Sequence, residues 1–158
     1  MIIVGMADLK TCQAPMALTT LGLGSCIGIA LYDATTKTAG LAHIMLPDSK
    51  AIANNSNVAK FADSAMKKLV DDMVRMGARR EQLKAKIAGG AQMFAFNSTN
   101  ESMRIGDRNA EAVARLLSEY RIPLIARDTG SNYGRTVELY ADDGRFLIKT
   151  IGHGNKTL

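Results

Sequence analysis

At 158 residues, with 47% hydrophobic and 22% charged side chains, the chain has the length of one domain, 1–158, and can bury roughly two thirds of its unfolded surface around one core. That composition argues against a disordered or fibrous chain. The formal net charge of +5 comes from scattered lysines and arginines, and the four Tyr and four Phe are joined by no Trp; this is a poor platform for nucleic acid, and the charge reads either as a solvated basic surface or as one that meets an acidic protein partner.

Met1 leads straight into "IIVGMA" at 2–7, a short apolar strand candidate without the basic start and cleavage site of a signal peptide. Cys12 follows in "KTCQAP", read as a turn carrying a surface thiol. Thr11 to Tyr32 is uncharged but broken by Pro15 and by glycines at 22, 24 and 28, so it is no membrane span. The expected location is the cytoplasm. There two cysteines outside any C-x-x-C pair are free thiols. Cys12, Cys26, His43 and His153 come from distant places in the chain, an unpromising zinc set, and no metal or cofactor is expected.

Next comes "TTLGLGSCIG" at 19–28. Its G-S-C-I-G core has the G-x-nucleophile-x-G form of a nucleophile elbow, but an elbow runs from strand to helix. Here Ile27, Ile29 and Leu31 alternate at period two and meet an Asp-initiated turn, so a strand follows Cys26. A phosphate loop fits no better, since the third glycine position and the G-K-[ST] sequence are lacking.

Residues 25–33 and 41–47, the second arm opening with "LAHIML", read as a hairpin. A turn centred near Thr36 and Lys37 pairs Ile27, Ile29 and Leu31 with Leu46, Ile44 and Ala42 as one apolar face. Cys26 and His43 fall on the opposite face, four residues out of step, roughly 13 Å along the strand. Two readings of each stay open. Cys26 is a nucleophile whose proton an imidazole removes, or a small buried thiol. His43 is that base, or a strand histidine satisfied by a hydrogen bond.

Farther on, Phe61, Ala62, Ala65, Met66, Leu69, Met73 and Met76 follow the 3.6 period, predicting a helix over 58–76 stopped by Gly77. A second helix is predicted over about 108–120, before Pro123. "KIAGGA", "PLIARD", "TVELYA" and "RFLIKTI" read as strands, the last two joined by an Asp142-Asp143-Gly144 hairpin turn. Helices that do not alternate with strands point to an α+β domain of mixed or antiparallel sheets rather than a doubly wound one.

Five blocks in order, "TLGLGSC" at 20–26, "GLAHIMLPDS" at 40–49, "KIAGGAQMF" at 86–94, "IGDRN" at 105–109 and "DTGSNYGRTVE" at 128–138, resemble the CheD family of bacterial chemotaxis. The resemblance implies a cysteine hydrolase that deamidates glutamines on chemoreceptor cytoplasmic helices. It implies an α/β/β/α arrangement on mixed sheets, with a core shared by cytotoxic necrotizing factor toxins. On the family's pattern Cys26 is the nucleophile, His43 the base and acid, and Thr20 the third polar member. The resemblance also implies binding to CheC, a phosphatase of the response regulator CheY, and an alternative in which the chain is mainly an adaptor of CheC. The stretch "AFNSTNESMRIGDRN" is longer and more polar than that pattern, which predicts an altered surface loop bearing on partner choice; "DTGSN" has serine where a second glycine is usual.

Overall fold

The computed structural model describes residues 1–93 and 104–158. The polar stretch expected to alter a surface loop lies mostly outside them. The strands are β1 (Ile2–Ile3), β2 (Asp8–Gln13), β3 (Ala17–Leu23), β4 (Ile27–Asp33), β5 (Thr38–Ile44), β6 (Lys84–Gly89), β7 (Leu124–Thr129), β8 (Arg135–Tyr140), β9 (Phe146–Thr150) and β10 (Gly154–Thr157); the α-helices are α1 (Ala62–Arg75) and α2 (Ile105–Glu119).

The strands form two five-stranded sheets, β1-β3-β8-β9-β10 and β2-β5-β4-β6-β7. Both are mixed: β1 runs parallel to β3 and β6 parallel to β7, while the other pairs are antiparallel. Alternation along β4 explains the stacking. Ile27, Ile29 and Leu31 pack with Leu69 and Met73 of α1 and Val113 and Leu117 of α2. Ala30, Leu41 of β5 and Ala88 of β6 pack with Leu18, Leu23, Val137, Leu139 and Phe146 of the other sheet. The central sheet is therefore buried on both faces, which is why "IGIALYD" is nearly all apolar. At Gly40 a Cβ would lie 2.7 Å from the Met73 sulfur and 2.8 Å from Leu69 Cδ1, so α1 rests directly on β5.

The α+β class holds. Both described helices lie on one face of one sheet, making an α/β/β stack; the fourth layer of the implied α/β/β/α order has no counterpart among the described residues.

Several local expectations are corrected. The first helix begins at Ala62, because Val58–Lys60 is a 3-10 turn capped by the Asn57 side chain and Phe61 is extended, held by a bridge to Leu46. The second begins at Ile105, where Gly106 lets it sit on Gly90 and Ala91: a Cβ there would come within 2.6 Å of both carbonyl oxygens. Cys12 is no surface thiol; it lies in β2, 5% exposed, within the core between the sheets.

The hairpin register is also shifted by two residues, pairing Ile27 with Ile44 and Ile29 with Ala42. The turn spans only 34–37. Asp33 fixes it by accepting from Thr35 N–H at 2.8 Å and Thr35 Oγ1 at 2.6 Å, with Lys37 at φ 53°. An even shift keeps every side chain on its expected face.

Candidate active site

The two-residue shift is what brings the candidate groups together. His43 stands opposite Gly28, and continuing that register puts Cys26 opposite Met45. Cys26 is therefore diagonal to His43, two residues out of step instead of four, about 7 Å along the strand. Gly28 between them presents no side chain; a Cβ there would meet Leu23 Cδ1 at 3.1 Å. Cys26 packs in the core between the sheets, 8% exposed, and His43 is fully buried.

Thr20 reaches His43 from the other sheet. Its Oγ1 lies 2.7 Å from His43 Nδ1 and 2.7 Å from the Val4 carbonyl oxygen. A carbonyl can only accept, so the single hydroxyl hydrogen goes to Val4, and Thr20 Oγ1 must accept from a protonated Nδ1. The chain from Val4 through Thr20 thus selects one imidazole tautomer and leaves the lone pair on Nε2. That nitrogen is buried and has no hydrogen-bond partner among the described residues. Cys26 and His43 accordingly lie on the same face, with no hydrogen bond between them.

Burial pushes the Cys26 thiol above its ordinary value of 9.0, against a smaller downward pull from its own backbone N–H, and burial pulls His43 below 6.5. At neutral pH the resting pair is a neutral thiol and a neutral imidazole. A base with a free Nε2 beside a protonated thiol can deprotonate it as the sulfur attacks, rather than storing a thiolate beforehand.

The loop before Cys26 is held from two sides. Gly90 N–H donates to Cys26 C=O at 2.9 Å and Ala91 N–H to Gly24 C=O at 2.8 Å. Gly89, at φ 112°, must be glycine because a Cβ would lie 2.1 Å from the Cys26 oxygen. From α2, Asn109 Nδ2 donates to both Ser25 C=O and Met45 C=O at 3.0 Å. Sequence reasoning assigned no role to Asn109, yet it left a signal: position 109 lies on the stripe of Ala110, Val113 and Leu117, a polar side chain on an apolar face. Arg135, with a fully buried side chain, gives Nε to Asp128 at 2.9 Å and Nη1 to Gly130 C=O at 3.1 Å, which ties the "DTGSNYGR" block together. Among the described residues no group of three or more His, Cys, Asp or Glu side chains is placed to hold a metal ion.

The profile of the family described as CheD chemotactic sensory transduction matches residues 45–150. A probable chemoreceptor glutamine deamidase CheD from Lachnoclostridium phytofermentans is 53% identical over 158 residues, covering 100% of this chain and 98% of its own.

This chain belongs to the CheD family.

A second probable CheD deamidase, from Caldanaerobacter subterraneus subsp. tengcongensis, is 54% identical over 97% of this chain and 94% of its own. The chemoreceptor glutamine deamidase CheD of Halalkalibacterium halodurans is 49% identical over 98% and 96%. Thr20, Cys26 and His43 precede the span matched by the profile, whereas the first of these alignments runs through them.

Proposed function

We propose that this CheD-family chain, 1–158, is a single-domain, cytoplasmic hydrolase that converts selected glutamines on chemoreceptor cytoplasmic helices to glutamate. The reading is supported by the names of relatives about half identical over nearly the whole chain. The observation that carries the chemistry is the threonine-fixed tautomer of His43, whose free Nε2 lies on the same face as Cys26.

In this mechanism Nε2 takes the Cys26 proton while the sulfur attacks the glutamine δ-carbonyl carbon. The oxygen gains negative charge and is held by backbone N–H groups, including that of Cys26. As the tetrahedral intermediate collapses, the C–N bond breaks, the imidazolium passes its proton to the leaving nitrogen, and ammonia departs, leaving a thioester. Water then gives a proton to Nε2 and attacks the thioester; the C–S bond breaks, releasing glutamate, and the imidazolium returns its proton to the sulfur, regenerating the thiol and the neutral base. Thr20 turns the ring through Nδ1 and makes no contact with substrate in this scheme.

The same reading includes CheC as a second partner, bound and stimulated, on the strength of the family resemblance. The test is to incubate the purified protein with a receptor cytoplasmic fragment and measure the mass of its glutamine-bearing peptides and the ammonia released. Selected amides should become acids with one ammonia each. If no peptide changes mass while a CheC-like phosphatase is bound and activated, the chain is an adaptor and the deamidase reading fails.

A further inference from the structure

Asn109 is fully buried, and from α2 its side chain joins the loop that carries Cys26 to the residue just after β5. Its Nδ2 hydrogens go to Ser25 C=O, the residue before Cys26, and to Met45 C=O, two residues after His43. Met45 is also the position opposite Cys26 when the β4–β5 register is continued. The amide orientation is forced, because an oxygen facing two carbonyl oxygens would have nothing to accept. Only a side-chain amide offers two hydrogens on so short an arm.

Its oxygen shows what the arrangement is not optimised for. Oδ1 is buried with no partner among the described residues, a condition that offsets part of what the two donated bonds contribute to folding. An orphaned buried polar atom beside the Cys26 loop calls for an explanation. The geometry supplies one. The Gly90 and Ala91 amides hold the Cys26 loop to β6, and Asn109 is the clamp between that loop and the end of β5.

We propose that Asn109 is a positioning residue that sets the separation of the Cys26 thiol from His43 Nε2 by clamping Ser25 to Met45. This rests on the deamidase reading and adds to it a residue that touches neither substrate nor the reacting atoms. Reacting groups misplaced by about 1 Å can cost about 100-fold in rate.

The experiment compares wild type, Asn109→Ala, Asn109→Leu, His43→Ala and His43→Ala with Asn109→Ala. Deamidation of a receptor fragment is followed, together with the rate at which iodoacetamide labels Cys26 at pH 7, read by peptide mass. Labelling of the buried Cys12 in the same sample reports unfolding. In whichever Asn109 variant keeps Cys12 protected, kcat should fall about 100-fold with KM within about twofold. Cys26 labelling should slow with His43 present and be unchanged by Asn109→Ala once His43 is replaced, because the clamp acts through that pair. Wild-type kcat in a folded Asn109 variant overturns the proposal. So does faster Cys26 labelling in the double variant than in His43→Ala, which would make Asn109 a mere cover over the thiol. If both variants expose Cys12, Asn109 is a folding residue and the proposal is wrong. Wild type that deamidates nothing refutes the enzyme reading instead, while the labelling cycle still judges the clamp.

Discussion

Thr20 Oγ1 and His43 Nδ1 lie 2.7 Å apart across the two sheets, and the threonine hydrogen is already committed to Val4 C=O. The pair therefore admits a single histidine tautomer and leaves Nε2 open.

Thr20→Val keeps the branched shape and removes the acceptor. Nδ1–H and Val4 C=O are then buried without their partner, a loss of about 1–3 kcal/mol in stability. Activity should fall by about 100-fold, within the range that a well-placed acid–base group contributes. Thr20→Ser, which retains the hydroxyl, should recover most of it. Equal kcat in Thr20→Val and wild type, measured below the melting temperature of both, would remove Thr20 from the mechanism.

The pH profile follows from burial. His43 gains its proton only below its ordinary 6.5, and Cys26 loses its proton only above 9.0. The competent state, neutral imidazole with protonated thiol, therefore spans the interval between, and kcat/KM should be flat from about pH 7 to 8.5 with its acid limb below 6.5. Stability shares the acid side. The unfolded chain binds protons at His43 from about pH 6.5 downward while the folded chain resists them, so this contribution is complete above 6.5 and is lost as pH falls. His43→Ala should flatten that part of the stability curve. An acid limb above pH 7 would contradict the burial argument.

The turn that sets the register can be tested apart from catalysis. Burial disfavours the Asp33 charge, but hydrogen bonds from Arg79 N–H and from Thr35 overcome it and hold the carboxyl at about 2, against an ordinary 3.8. A group lowered in this way contributes above its unfolded value and loses that contribution as pH drops toward 2, worth about 2 kcal/mol. Asp33→Asn should lose about that much at pH 7 and show a shallower acid transition between pH 4 and 2. An unchanged acid transition would show that the turn does not depend on the charge.

Cys12 belongs to the core, not the surface. Cys12→Ala should cost about 1 kcal/mol for the small space left behind and leave deamidation unchanged. Loss of activity without loss of stability would give Cys12 a part in the chemistry.

What the sequence allowed to be read follows the same division. The apolar faces of "IGIALYD" and of α1 are periodic, so the α+β class and the common face of Cys26 and His43 were legible from the residues. The resemblance supplied Thr20, which no spacing could tie to His43, since 23 residues and a change of sheet separate them. The hairpin register depended on Asp33 choosing a four-residue turn, a matter of two hydrogen bonds rather than of pattern. The strands β2 and β3 hid in and beside a stretch of Thr, Pro and Gly, because pairing of β2 with β5, and of β3 with β1 and β8, overrides weak local preference. The buried charge of Arg135 depends on the loop folding Asp128 and Gly130 back onto it, and period alone gives no hint of that.

The most direct test of the central claim is to trap the intermediate. Wild-type protein mixed with a receptor fragment and quenched in acid within one turnover should carry the glutamyl group of the fragment as a thioester, and peptide mapping should place it on Cys26. Cys26→Ala should form no adduct and release no ammonia, while Cys12→Ala does both. Turnover of receptor glutamine by a folded Cys26→Ala variant, or an adduct found on any residue other than Cys26, would contradict the account.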